Sequence, residues 1–357
     1  MSDTGLVLKD VYRVFPGNVT AVSDVNLEIK NGEYVVFLGP SGCGKTTTLR
    51  MIGGHDDPSS GTITIDGELL NGVTPAKRPI TTVFQHYALF PHKSVLQNVA
   101  FGLKMQGMDK AERETQAKAA IELVGLTAMM DRKPRELSGG QQQRVALGRV
   151  LVTRPKAILL DEPLGGLDRL LQLKMRVELR ALQRELGITF IHVTHNQEEA
   201  LSMADRIVVM GDAIVQQVGT PEKLARQPRN EFVATFMGDN NVLKGTIASA
   251  SGGVIVIDTP YGKVEVEGTG NVGDESSMAI RASAVKVSTD AVPAINGIKV
   301  RLDFAEYLGD SVKLHMDLDG KPFMAKVHEE RYAEIRAYEG KDITASWTRE
   351  DGHLLEQ

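Results

Sequence analysis

The chain has 357 residues, of which 42% are hydrophobic and 24% charged, and its formal net charge is −5. This length predicts two domains, and the composition is that of a folded protein and not of a disordered one. The acidic balance disfavours a nucleic-acid-binding protein. The single cysteine, Cys43, excludes an intrachain disulfide, and no stretch approaches the roughly 18 apolar residues that a membrane span needs.

The first two-thirds of the chain alternate short apolar runs with helical patterns, which is typical of an α/β domain with a largely parallel sheet. Strands and helices are predicted in turn at 34–38, 109–124, 157–160, 169–186 and 189–193. In the helix at 169–186, Leu170, Leu173 and Val177 recur at helical spacing. A hairpin is predicted over 206–218.

Residues 39–47 read GPSGCGKTT, a full match to the phosphate-loop pattern G-x-x-x-x-G-K-[ST] between a strand and a helix. The glycines let the backbone curl so that its N–H groups converge on an anion at a helix N-terminus. Lys45 is predicted to reach the β- and γ-phosphates of ATP, and the Thr46 hydroxyl to ligate Mg²⁺. The predicted nucleotide-binding residues of this loop are Gly39, Pro40, Ser41, Gly42, Cys43, Gly44, Lys45, Thr46 and Thr47.

A second site follows from the stretch AILLDEP, a buried strand that ends in Asp161 and Glu162. Strand-end carboxylates beside a phosphate loop can hold Mg²⁺, here Asp161, and orient the attacking water, here Glu162. Alone, Asp-Glu-Pro would also suit an ordinary loop entry. Together with the phosphate loop it predicts a nucleotide-hydrolysing site.

After about residue 240 the pattern changes to short alternating strands separated by Gly, Asp and Asn turns. This is typical of an all-β module built as small barrels or a sandwich. The predicted domains are therefore residues 1–238 and 239–357.

Recognition of the family rests on four further motifs. The stretch LSGGQQQR at 137–144 resembles the signature motif of ABC ATPases, and VFQHYALFPH, PLGGLD and THNQEEA resemble the Q-loop, D-loop and switch-histidine motifs in family order. The resemblance covers residues 6–238 and implies an α/β P-loop NTPase domain, with a helical subdomain at about 88–150. The tail resembles the transport-associated OB-type domain of bacterial ABC importers.

The resemblance implies a head-to-tail dimer with a second copy of the chain, in which two ATP molecules are sandwiched. Residues at the N-terminus of the signature helix would then face the γ-phosphate bound by the opposite subunit, namely Ser138, Gly139, Gly140 and Gln141. Asp168 would lie at the dimer seam.

The same resemblance assigns the catalytic roles. Glu162, His195 and Gln85 are the expected catalytic residues: His195 would bond the γ-phosphate, and Gln85 would touch Mg²⁺ or the water. Phe15 stands where the family places an aromatic ring under adenine, and neighbouring Tyr12 stays open as the stacking ring instead.

The resemblance further implies two transmembrane permease subunits, an extracytoplasmic solute-binding protein acting indirectly, and a peripheral place on the cytoplasmic face of the bacterial inner membrane. No nucleic-acid partner is expected. The stretches TTVFQHYALFPHKSVLQNVAFGLKMQG and ELRALQRELGITFIHVTHNQEEAL are nearest in wording to spermidine/putrescine importers. A polyamine is therefore the favoured solute, with a sugar, a glycerol phosphate or iron as alternatives. ABC ATPases that act on ribosomes or DNA usually carry two cassettes or a long coiled-coil insertion, which this sequence lacks.

Overall fold

A computed structural model describes residues 4–83 and 88–356. The chain divides into two compact units, one that ends at Pro221 and one that begins at Glu222. The predicted boundary between residues 238 and 239 lies later in the chain, after two short helices.

The first unit alternates strands and helices. In chain order its elements are β1 (Thr4–Phe15), β2 (Val19–Lys30), β3 (Tyr34–Leu38), α1 (Lys45–Gly53), β4 (Ser60–Ile65), β5 (Glu68–Leu69), β6 (Ile80–Val83), α2 (Val95–Val99), α3 (Phe101–Met105), α4 (Lys110–Leu123), α5 (Gly139–Leu151), β7 (Ala157–Asp161), α6 (Arg169–Leu186), β8 (Thr189–Thr194), α7 (Gln197–Met203), β9 (Arg206–Gly211) and β10 (Ile214–Gly219). The strands, helices and hairpin predicted from the sequence are confirmed, and α2 to α5 fall within or end beside the range of the expected helical subdomain.

The central sheet of this unit has six strands in the order β10-β9-β3-β8-β7-β6. It is parallel except for the β9–β10 hairpin. A second, antiparallel sheet has the order β2-β1-β4-β5. Apolar side chains of both sheets and of α1 form one core, among them Val11, Phe37, Met51, Leu159 and Val208. Because β3, β8 and β7 are parallel neighbours, their carboxyl ends meet at one edge of the sheet.

Helix α6 begins and ends at the predicted residues, because the Asp168 side chain caps its first turn and Gly187 (φ 63°) ends it. Its apolar stripe, however, lies in solvent: Leu170 is 79% and Val177 71% exposed. The buried face includes Arg176 and Gln183 beside its apolar residues. Helical spacing in the sequence therefore identified the helix without identifying which of its faces is buried.

The second unit is mainly antiparallel β-structure. Its elements are α8 (Pro221–Arg226), α9 (Glu231–Phe236), β11 (Asn240–Ser251), β12 (Val254–Thr259), β13 (Gly262–Glu267), β14 (Glu275–Arg281), β15 (Lys286–Ser288), β16 (Gly297–Tyr307), β17 (Val312–Leu318), β18 (Lys321–Val327), α10 (Glu329–Ile335), β19 (Asp342–Ser346) and β20 (Gly352–Leu354).

These strands form two five-stranded sheets, with the orders β13-β12-β11-β14-β20 and β15-β19-β16-β17-β18. They enclose one core that contains Ile257, Val300, Phe323 and Trp347. Strand β17 alternates buried and half-buried side chains along its whole length, as the sequence pattern predicts. The OB-type fold expected for the tail is confirmed. Within residues 4–83 and 88–356, no helix has the length and apolar character to cross a membrane.

Candidate active site

The phosphate loop connects β3 to α1 at the carboxyl edge of the central sheet. Residues 39–44 form the loop, and Lys45, Thr46 and Thr47 begin α1. Its shape depends on glycine at two places. Gly44 has φ 101°, and a Cβ there would lie 2.4 Å from the Ala21 carbonyl oxygen; a Cβ on Gly39 would lie 2.2 Å from that of Met210. The neighbouring strands therefore fix the curl that brings N–H groups together.

The Lys45 side chain turns back into this loop and is 6% exposed. Its ammonium donates to the carbonyl oxygens of Gly39 (2.8 Å) and Pro40 (2.7 Å) and lies 3.7 Å from the Cys43 Sγ. A buried positive charge beside converging N–H groups favours an anionic ligand such as a phosphate chain.

Asp161 ends β7 and faces the start of α1. The Thr46 hydroxyl lies 3.5 Å from Asp161 Oδ1. Burial, followed by the charge of Glu162, raises the pKa of the Asp161 carboxyl above its ordinary value, and Thr46 opposes this shift. A cation placed here would relieve the cost of this half-buried carboxylate.

These oxygens fit Mg²⁺, which takes one or two carboxylates together with hydroxyl, water and phosphate oxygens. Throughout the described ranges no group of three or more His, Cys, Asp or Glu side chains could hold a metal ion by itself. A metal at Thr46 and Asp161 would therefore share its coordination with the nucleotide and water. Gln85, the third expected ligand, lies outside the described residues.

Glu162 and His195 come together across the neighbouring strands β7 and β8. His195 Nδ1 lies 3.1 Å from Glu162 Oε1, and their side chains are 65% and 31% exposed. Glu162 has φ 45°, a left-handed conformation that costs a non-glycine residue about 1–3 kcal/mol. Its N–H donates to Val193 O and its carbonyl oxygen accepts from the Gly165 N–H. The turn that these bonds stabilise aims the carboxylate at the same sheet edge as the phosphate loop.

The signature residues lie at the N-terminus of α5. The exposed Ser138 caps this helix: its hydroxyl accepts from the Gln141 N–H at 3.4 Å, and Gln141 Oε1 accepts from the Ser138 N–H at 2.9 Å. Gly140 is buried, and a Cβ on it would lie 3.4 Å from Met175 Sδ and 3.5 Å from Leu171. This helix end is thus packed against α6, and Ser138 at its start is exposed.

Asp168 is placed in the same way at the start of α6, where its carboxylate accepts from the Leu171 N–H at 3.0 Å. Half-buried Gly139 lies nearby, since a Cβ on it would be 3.6 Å from Leu167. Among the described residues, neither Ser138 nor Asp168 hydrogen-bonds to residues 39–47. The structure thus brings together the phosphate loop, Asp161, Glu162 and His195, and it leaves the signature and D-loop residues as a separate group.

Phe15 lies at the end of β1 and is half-buried. The Arg13 guanidinium lies 4.6 Å from its ring centroid, a cation–π contact. Tyr12 is also half-buried, so burial does not distinguish the two candidate stacking rings.

A polar cluster beneath His195 was not predicted from the sequence. It contains the Tyr34 hydroxyl, His192, Thr194, Asn196 and Glu199. One signal was visible, because Asn-x-x-Glu at 196–199 matches a helix-start pattern. The contact between Tyr34 and His192 joins two strands that are distant in sequence, and no local motif reveals it.

Comparison with known proteins supports this description. Residues 22–165 match the family model described as ABC transporter, and residues 278–355 match the TOBE domain model. The chain is 45% identical over 346 residues to the spermidine/putrescine import ATP-binding protein PotA of Rubrobacter xylanophilus, covering 95% of this chain and 90% of that protein. It is 41% identical over 368 residues to the trehalose/maltose import ATP-binding protein MalK of Thermococcus litoralis, covering 99% and 98%.

Among solved structures, the dimeric post-hydrolysis form of the ATP-binding cassette MJ0796, bound to ADP and Pi, matches with a TM-score of 0.52 at 34% identity. The match covers 60% of this chain and 98% of the cassette. Motifs, fold and full-length relatives agree, and the chain belongs to the ABC transporter family as an import ATP-binding protein, an ATPase.

Proposed function

We propose that this ATPase drives the uptake of a polyamine. The supporting observation is the 45% identity, over 95% of the chain, to a spermidine/putrescine import ATP-binding protein. A sugar is the second candidate, because a trehalose/maltose import ATP-binding protein is 41% identical over 99% of the chain. In this proposal two copies of the chain act on the cytoplasmic face of the inner membrane with two permease subunits, supplied by an extracytoplasmic solute-binding protein.

Within each copy, the phosphate loop and the buried Lys45 ammonium bind the β- and γ-phosphates of ATP. Thr46 and Asp161, with Gln85, hold Mg²⁺, which neutralises charge on the phosphates when bound. Glu162 orients the attacking water, and His195 contacts the γ-phosphate. The 3.1 Å approach of His195 to Glu162 supports a joint role for these two residues.

The second half of each site comes from the partner copy. Ser138, Gly139, Gly140 and Gln141 present the positive end of α5 to the γ-phosphate across the dimer, and Asp168 lies at the seam. The exposed Ser138 at the N-terminus of α5 and the dimeric structure of the MJ0796 cassette support this arrangement. Phe15 stacks on the adenine.

The test is purification of the tagged chain from native membrane with its partners, followed by reconstitution in vesicles with the associated solute-binding protein. ATP hydrolysis is measured with spermidine, putrescine, trehalose and maltose, and a Glu162→Gln complex gives the background rate. We expect spermidine or putrescine to stimulate hydrolysis severalfold. Stimulation by the sugars alone would establish the second candidate, and the absence of any co-purifying membrane protein would overturn the import proposal.

A further inference from the structure

The backbone on either side of His195 sets where its largely exposed side chain can reach. The side chain is 65% exposed, and its Nδ1 contact with Glu162 joins it to another surface side chain. An exposed side chain keeps one position only if the peptide on both sides of it is fixed. The residues flanking His195 are therefore where its alignment is decided.

Those flanking residues form a closed ring of hydrogen bonds with Glu199. The Thr194 hydroxyl donates to Glu199 Oε2 at 2.8 Å and accepts from the Asn196 N–H at 3.0 Å. The Asn196 side-chain oxygen accepts from the Glu199 N–H at 3.2 Å. Thr194 and Glu199 are 3% and 4% exposed, so water does not compete for these bonds.

A buried pair lies on the other side of the Glu199 carboxylate. The Tyr34 hydroxyl lies 3.1 Å from His192 Nδ1, and both side chains are fully buried. Burial raises the pKa of Tyr34, so the hydroxyl keeps its proton and can donate it to Nδ1. The ring proton of the neutral imidazole then lies on Nε2.

This Nε2–H faces Glu199 Oε2 at 3.6 Å. The distance is too long for a good hydrogen bond, but the polarity is favourable for a carboxylate. Burial raises the pKa of Glu199, and the charge of Glu162 adds to that shift, while Thr194, Arg176 and His195 oppose it. The 2.8 Å bond from the Thr194 hydroxyl is the contact that uses the carboxylate as an acceptor.

We propose that Glu199 is a positioning residue for ATP hydrolysis, which holds His195 in register with Glu162 through Thr194 and Asn196. This inference rests on the proposed role of His195. Glu199 itself touches neither nucleotide nor water in this proposal. Its effect is on the alignment of a group at the reacting phosphate.

The first experiment separates turnover from binding. Glu199→Ala should lower kcat about ten- to a hundredfold, the cost of misplacing a catalytic group by about 1 Å, while KM for ATP stays within twofold. Glu199→Gln, which can still accept from Thr194, should recover most of kcat. Thr194→Val should reproduce the loss. Glu198→Gln is the matched control on the same helix, because the Glu198 carboxylate faces Arg169 and Arg176 instead.

A double-mutant cycle then tests whether Glu199 acts through His195. If it does, adding Glu199→Ala to His195→Ala lowers kcat no further. Additive losses, or a Glu199→Ala variant whose KM rises as much as its kcat falls, would overturn the inference and leave the role of His195 intact. A His195→Ala variant with normal kcat would instead overturn the proposed role of His195.

Discussion

In our proposal the phosphate loop and the N-terminus of α5 both present backbone N–H groups to an anion, yet the chain builds them differently. The loop is fixed from within the first unit: the carbonyl groups of neighbouring strands leave no room for a Cβ at Gly39 or Gly44, and Lys45 is buried inside the curl. The end of α5 is fixed only on its inner side, and its exposed Ser138 contacts Gln141 of its own helix.

The two differ in how much of the site one chain can complete. We call the phosphate loop, with Asp161, Glu162 and His195 beside it, the rigid half, and the N-terminus of α5 the open half. The rigid half has a shape and a charge that suit phosphate, so one copy of the chain suffices to describe its chemistry. The open half is a helix N-terminus whose polarity favours an anion, but it has no phosphate-binding loop of its own beside it. In our proposal its ligand is the nucleotide bound to the partner copy.

The largest effect is expected in the rigid half. Glu162→Gln keeps the size and the turn of the side chain but removes the charge that orients water, so turnover should fall at least about a hundredfold. ATP binding should be unchanged, because Lys45 and the loop are untouched. Steady-state phosphate release and equilibrium ATP binding check this. Hydrolysis above a tenth of the wild-type rate would remove Glu162 from this role.

The open half is tested with mixed dimers in which one copy carries Lys45→Ala and the other Ser138→Ala. If the halves are shared across the dimer, both changes fall on one site and the other site binds ATP normally. With both changes on one copy, each site should be weakened, by about tenfold where only Ser138 is lost, since a hydrogen bond to a charged group is worth about 1.5–3 kcal/mol.

Occlusion of labelled ATP per dimer is the measurement. Ser94→Ala is a matched control, because Ser94 caps α2 with Gln97 in the same reciprocal way. It should change helix stability without changing occlusion. The opposite pattern, with an intact site only when both changes share one copy, would show that each chain completes its own site.

The proposed base-binding residue, Phe15, gives the next effect. Phe15→Ala should weaken ATP binding by an amount set by stacking, about 1–3 kcal/mol, and should narrow the preference for ATP over UTP, whose smaller ring stacks less. Phe15→Trp should restore both. Competition binding with the two nucleotides decides the question, and a loss seen with Tyr12→Ala but not with Phe15→Ala would assign the stacking to Tyr12.

Much of the rigid half was predictable because the sequence features that determine it are local. The strand, loop and helix around Lys45 follow from glycine spacing and apolar runs, and Asp161 and Glu162 follow from a buried strand that ends in carboxylates. The alternating strands of the second unit were predictable for the same reason. The pairing of His195 with Glu162 needed the family resemblance in addition.

What the sequence did not reveal depends on distant contacts. The spacing of Leu170 and Val177 predicts a core face, but both side chains are exposed. The buried face contains Arg176, which donates to Glu198, and Gln183, which donates to the Gly32 carbonyl oxygen. Polar residues that obtain partners in the fold can be buried, and periodicity alone cannot show those partners.

The smallest effect concerns His192, which is buried on β8. Burial lowers its pKa to about 3, and Arg176 adds to the shift. As pH falls below the ordinary value of 6.5, the unfolded chain binds a proton that folded His192 does not, so the free energy of unfolding decreases. Between pH 7 and pH 5.5 this amounts to about 1 kcal/mol. His192→Phe should remove that part of the pH dependence.

Urea unfolding at the two pH values, followed by far-ultraviolet circular dichroism, reports mainly the helices of the first unit. The single tryptophan, Trp347, lies in the core of the second unit, so its fluorescence is an internal control that should respond to pH alike in both proteins. Equal pH dependence by circular dichroism as well would mean that His192 is protonated without cost. Burial of His192 would then contribute nothing to the pH dependence of the stability of the first unit.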